Sequence, residues 1–240
     1  MKAAILIDGG YLLRRLPSVR KDIDPKCSDA VDRAVGQLVS RHLYKLNSIA
    51  RVQNQYSLLY RCFFYDARPY MEKGHLPISK RSVDYARSHE ARFRLELFDR
   101  LRRRPSFAVR LGEVRRERSW VLNETAQKAL LAGKKTVSDL TDSDFMPGFR
   151  QKAVDMRIGI DIAALALKRQ VDTIVLVAGD SDFVPAAKLA RREGVKIILD
   201  PLWRSVAPEL FEHIDGLRSG FNNPNQNGAQ DDELESAQPS

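Results

Sequence analysis

Two short, nearly uninterrupted apolar runs, residues 173–177 and 195–199, flank a turn and a stretch of helical spacing. A strand that is apolar at every position must be covered on both faces, which is the condition of a parallel sheet. Between the runs, Gly179-Asp180-Ser181-Asp182 reads as a turn, residues 183–192 as a helix and Gly194 as its cap. Together they make a βαβ unit, whose crossover is right-handed by the general rule for such units. Residues 3–7 form a third run of the same kind, closed by Asp8-Gly9-Gly10. The class is therefore α/β with a mainly parallel central sheet.

The rest of the chain is organised around that frame. In Ser28–Ala50 the residues Val31, Val35, Leu38, Val39, Leu43 and Leu46 recur at three and four positions, an amphipathic helix capped by Ser28 or Asp29. Residues 57–65 predict a second strand ending at Asp66, residues 79–103 a basic helix stopped by Pro105, and residues 107–114 a further strand with which 120–122 pairs. Residues 123–148 are polar and read as a loop or short helices, and residues 156–168 have helical periodicity. The expected organisation is one domain over 1–218, with a basic, less typical middle at 67–150, and a disordered tail over 219–240, where apolar residues almost vanish.

Charge narrows the partners. The chain of 240 residues carries a formal net charge of +9, and the segment 80–118 alone holds thirteen Lys or Arg against six acids. Such an excess favours a polyanion. Arg102, Arg103, Arg104, Arg115, Arg116 and Arg118 are the candidate RNA contacts, although runs of surface charge are also ordinary solvated faces. Cys27 and Cys62 match neither a zinc pair nor a disulfide framework, and Asp8 interrupts the opening apolar run too early for a signal peptide. With no run of membrane-spanning length, the expected location is the cytoplasm.

Four strands end in an aspartate, at Asp8, Asp66, Asp180 and Asp200. In an open parallel sheet, ligands collect at the carboxyl ends of the strands. Carboxylates crowded there repel one another, and a bound cation relieves the repulsion. An all-carboxylate set without His or Cys suits Mg²⁺ or Mn²⁺, and such an ion hydrolyses phosphodiesters by activating water. Two acids flanking Ser181 exceed what a helix cap needs. Asp8 alone would read as a turn residue, as Asp66 and Asp200 do. The four histidines sit in no ligand spacing.

Three blocks then resemble the NYN (LabA-like) domains of the PIN-like nuclease superfamily: Ile5-Leu-Ile-Asp-Gly-Gly-Tyr-Leu12, Gln151-Lys-Ala-Val-Asp-Met-Arg-Ile-Gly-Ile-Asp161, and Val175-Leu-Val-Ala-Gly-Asp-Ser-Asp-Phe183. The resemblance implies a three-layer α/β/α PIN-like (Rossmann-like) fold and a divalent-metal ribonuclease, an endonuclease, with Asp8, Asp155, Asp180 and Asp182 as catalytic metal ligands. It places Asp161, Lys152 and Ser181 in supporting positions, Lys152 meeting a phosphate. Many relatives have Asn where this chain has Gly10, so one polar contact is absent. Expected partners are RNA, single-stranded for choice, and no membrane, with room for a homo-oligomer. The rival readings are a catalytically silent nucleic-acid-binding or regulatory module and a phosphatase or nucleotide-binding enzyme. Against the second, the chain has no phosphate-cradling glycine loop and no Asp-x-Asp after its first strand.

Overall fold

The structure is a computed structural model that describes residues 1–225, the side chains of 117–119 apart. Its first strand, β1 (Ala3–Asp8), is buried at every position, because it lies in the middle of the sheet. β2 (Leu59–Arg68) and β7 (Thr173–Val177) pair with it in parallel on its two sides. Strands β3 (Lys73–His75) and β4 (Ser82–Asp84) form a separate antiparallel hairpin. β5 (Phe107–Leu122) joins β2 in parallel, β6 (Phe145–Lys152) joins β5 antiparallel, and β8 (Lys196–Asp200) and β9 (Gly216–Leu217) extend the other side in parallel. The order is β6-β5-β2-β1-β7-β8-β9. From β1 the chain winds towards β2 and β5, and from β7 it winds the opposite way, so the direction reverses between β1 and β7. That is where an open α/β sheet leaves a crevice at its carboxyl edge.

Alternation along the strands sorts the helices into two layers. Ala3, Ile5 and Ile7 share a core with α1 (Gly9–Val19), α2 (Ser28–Ala50) and α3 (His89–Arg103). Ala4 and Leu6 face α5 (Val154–Leu167), α6 (Val184–Arg192) and the short α7 (Pro208–Phe211). The fold is therefore the three-layer α/β/α arrangement expected of a PIN-like domain. Among the described residues, no helix is long and apolar enough to cross a membrane.

The middle of the chain departs from expectation. The helix anticipated from residue 79 starts at His89, where the Ser88 side chain accepts from the Ala91 amide at 3.1 Å; the residues before it supply β4 of the small hairpin. The two strands anticipated within 107–122 are one. Its pairing with β2 ends at Glu113, opposite Arg68, and it continues with β6 as its only strand partner among the described residues, projecting roughly 30 Å past the sheet edge at 3.3 Å per residue. The segment anticipated as a loop or short helices supplies α4 (Glu124–Leu131) and two one-turn helices, and at its end the first residues of β6, which was not anticipated. Asp142 accepts from the Ile78 and Ser79 amides, and Trp120 Nε1 donates to the His75 carbonyl, so this arm and the small hairpin form one body.

The expected tail begins too early at 219. The buried Asp200 carboxylate accepts from the Gly220 amide at 2.7 Å and the Leu202 amide at 2.8 Å, and lies 2.8 Å from His42 Nε2. Phe221 is only 1% exposed, in the core beside α2. One aromatic side chain with a bonded backbone holds this segment, despite a polar composition around it. The rest of the expected tail, 226–240, lies outside the described residues.

Candidate active site

Asp8 closes β1 and caps α1, its Oδ1 accepting from the Tyr11 amide at 2.9 Å. The sharp passage from strand to helix depends on Gly9, where a Cβ would stand 2.6 Å from the Phe64 ring and 2.7 Å from the Tyr65 carbonyl oxygen. The Asp8 carboxyl is thereby sunk into the sheet edge, and its pKa is pushed up to about 6. Burial is the largest cause. The charges of Asp155 and Asp66 push the same way, while the Tyr11 amide and the Arg14 guanidinium oppose them.

Asp155 stands in the first turn of α5, reached from β6 through Ala153, a non-glycine residue in the left-handed region with φ 67°. Its carboxyl is raised first by partial burial and then by the charges of Asp180 and Asp182. Asp180 follows β7 and accepts from the Asp182 amide at 3.1 Å, opening a one-turn helix anchored by the buried Phe183. Gly179 before it lies against the Tyr11 ring so closely that a Cβ would come within 2.5 Å. The Tyr11 hydroxyl donates to the Pro201 carbonyl at 2.6 Å. One tyrosine thus ties together the ends of β1, β7 and β8.

Asp155 is consequently the electrostatic middle of the group, acting on Asp8 on one side and acted on by Asp180 and Asp182 on the other. All four donors are hard oxygens, suited to Mg²⁺ or Mn²⁺. Their spacing is more open than a finished metal centre: among the described residues no three His, Cys, Asp or Glu side chains form a group that could hold an ion.

Residues 105–215 match the family model of the NYN domain, a member of the PIN-like nuclease superfamily. Over that stretch, a little under half of its length, the chain is similar to the NYN domain. The matched stretch runs from the start of β5 to the end of the α7 region and contains Asp155, Asp180 and Asp182, whereas β1 with Asp8 precedes it. The chain is also similar to an uncharacterized protein of Methanocaldococcus jannaschii, 31% identical over 68 residues, which is 28% of either chain. No solved structure matches.

Around the acids, the other candidate residues scatter. Asp161 lies further along α5 and is engaged elsewhere, accepting from the Tyr65 hydroxyl at 2.8 Å and pairing with Arg110 at 3.4 Å. Lys152 ends β6 opposite Glu113 and is exposed, as is Ser181 between the paired acids. Asp66, read from sequence as a turn residue, is instead fully buried, bound by Arg94 of α3 and by its neighbour's amide. It contributes to raising Asp8. Asp200 is likewise no free turn acid but the hub of the His42 contact. The sequence places both at the close of an apolar strand, although β2 runs two residues past Asp66; their buried partners were not visible.

The basic candidates divide into two sets. α3 runs from Arg94, at the carboxyl edge beside Asp66, down to Arg104, which leads into the start of β5 at the opposite edge. Arg102, Arg103 and Arg104 are therefore some 12–15 Å further along the helix, at 1.5 Å per residue. Arg102 and Arg103 pair there with Asp99 of the same helix, and Arg104 ties the end of α3 to α2 through Asp32. Arg115 and Arg116 are on the projecting arm: Arg115 pairs with Glu113 at 3.0 Å, and the Arg116 guanidinium lies 5.6 Å from the centre of the Trp120 ring. The backbone of Arg118 belongs to the same strand, and its side chain lies outside what the structure describes. Two residues that sequence reasoning did not single out, Arg14 and Gln151, reach the space beside Asp8.

Proposed function

We propose that this chain is a divalent-metal-dependent endoribonuclease whose acidic site is Asp8, Asp155, Asp180 and Asp182. What supports the reading is that these carboxylates, from three distant parts of the sequence, lie near enough to the reversal point of the sheet to feel one another's charge, with Asp8 buried at a pKa near 6. Burying a carboxyl beside other carboxyls works against folding unless the site has a use for the charge. Mg²⁺ or Mn²⁺ held by these residues would lower the pKa of a water and polarise a phosphoryl oxygen. Asp8, fixed by the Tyr11 amide, and Asp180, fixed by its own turn, hold their oxygens in set directions. Asp155, at a helix start entered through a strained residue, completes the group. The arm carrying Arg115 and Arg116 stands beside the crevice, where it can bind a nucleic-acid backbone through phosphate contacts independent of sequence.

The test is cleavage of labelled single-stranded RNA with Mn²⁺, comparing the wild type with Asp180→Asn. The expected loss is at least about a hundredfold, the upper end of what removing even an outer partner of a metal ligand costs. Equal rates would remove the catalytic role. One observation favours a second reading, a silent nucleic-acid-binding module: the open spacing of the acids. That reading expects salt-sensitive binding of RNA with no metal-dependent cleavage.

A further inference from the structure

The Gly10 position gathers polar atoms from three segments. A Cβ there would lie 3.4 Å from Asp8 Oδ1, 3.6 Å from Arg14 Nη1 and 3.6 Å from Gln151 Oε1. These are ordinary contact distances, so the glycine has room for a methyl group. Any longer side chain would enter space already held by a guanidinium and an amide. Arg14 reaches this place because it follows Gly10 by four residues on α1, and helix side chains lean towards the N-terminus.

The neighbouring arginines are committed elsewhere: Arg94 to Asp66 and Arg110 to Asp161. Arg14 closes no ion pair among the described residues, is exposed, and makes its charge felt at both Asp8 and Asp155. A phosphate approaching an acidic crevice is repelled by it. A guanidinium at the rim offsets that repulsion, and its planar fork matches two phosphate oxygens at once.

We infer that Arg14, reaching across the bare backbone of Gly10, is the residue that grips the phosphodiester of a nucleic-acid strand lying over Asp8 and Asp155. The inference rests on the nuclease reading for the location of the reacting phosphate. Gly10 then has a role of its own. The missing side chain opens the path by which an arginine from the next helical turn enters the site.

The experiment measures binding of a fluorescent single-stranded oligoribonucleotide by anisotropy, in EDTA and across a salt series, so that cleavage does not intervene. For Arg14→Ala the expected result is about fivefold weaker binding and a salt slope shallower by about 0.7, the loss of one phosphate contact to a single strand. Arg14→Lys should keep the slope and recover only part of the affinity. Gly10→Asn, with Arg14 intact, should weaken binding by crowding the guanidinium out. Unchanged affinity and slope in Arg14→Ala overturn the inference, even if the variant's stability changes, because Arg14 would then be only a counter-charge for Asp8. Absence of Mn²⁺-dependent cleavage by the wild type overturns the nuclease reading while leaving the EDTA result to decide on Arg14. No salt-sensitive binding by the wild type overturns both.

Discussion

Asp8→Asn removes one ionisable oxygen from the site while keeping an acceptor for the Tyr11 amide, since Asn and Asp cap helices about equally well. The Asp8 carboxyl titrates near 6 in the folded protein against 3.8 for the unperturbed group. The folded state therefore holds this proton more tightly than the unfolded chain does. Its contribution favours folding below pH 4 and is lost as the pH rises through 6, leaving the ionised, buried Asp8 as a penalty at neutral pH. A displacement of about two units corresponds to about 3 kcal/mol at 1.36 kcal/mol per unit. In urea unfolding at pH 7.5 with EDTA, Asp8→Asn should be more stable than the wild type by up to that amount. At pH 3.5 the two should coincide. Millimolar Mg²⁺ at pH 7.5 should stabilise the wild type and leave the variant nearly unaffected, because only the folded wild type gains by binding the cation. A stability difference that is the same at both pH values would refute the reasoning, as would a variant less stable than the wild type at pH 7.5.

Two further outcomes test the scaffold that positions the acids. Asp200→Ala strands His42 and the amides of Leu202 and Gly220 in the interior, and should lower stability by about 3–5 kcal/mol in urea; protease cleavage after Arg218 should quicken as Phe221 loosens. Gly179→Ala drives a methyl group into the Tyr11 ring and should cost about 1–3 kcal/mol in thermal unfolding. Combining it with Tyr11→Ala should show less than the sum of the two losses.

The parts of the fold that were legible from sequence are those whose signal is local. β1, β7 and β8 are apolar at nearly every position because they are covered on both faces, and continuous apolar runs say so directly. α2 shows its buried face at helical spacing. The arm gave no comparable signal. Beyond Val114, which still packs on the core, β5 is held by pairing with β6, and the apolar-polar alternation of its sequence breaks at Arg115 and Arg116. β6 contains Pro147 and Gly148, ordinarily strand breakers, which an edge strand can carry. At the site, position alone left Asp8 a turn residue; the resemblance of its block to the NYN domains singled it out, and the paired acids around Ser181 drew attention to Asp180. Asp66, near the end of β2, and Asp200, at the end of β8, have partners 28 and 158 residues away in sequence, Arg94 and His42. No local pattern distinguishes a strand-ending acid aimed at a crevice from one consumed inside the protein. The same holds for Arg14, whose importance depends on the absence of a side chain at Gly10.

The arm has a mechanical consequence. Its return strand, β6, ends at Lys152, and only Ala153 and Val154 separate that strand from Asp155. Ala153 is in a conformation that gives little slack. Where the arm returns to the sheet therefore fixes where α5 begins, and with it the place of the Asp155 carboxylate, a junction that the buried Val154 packs into the core.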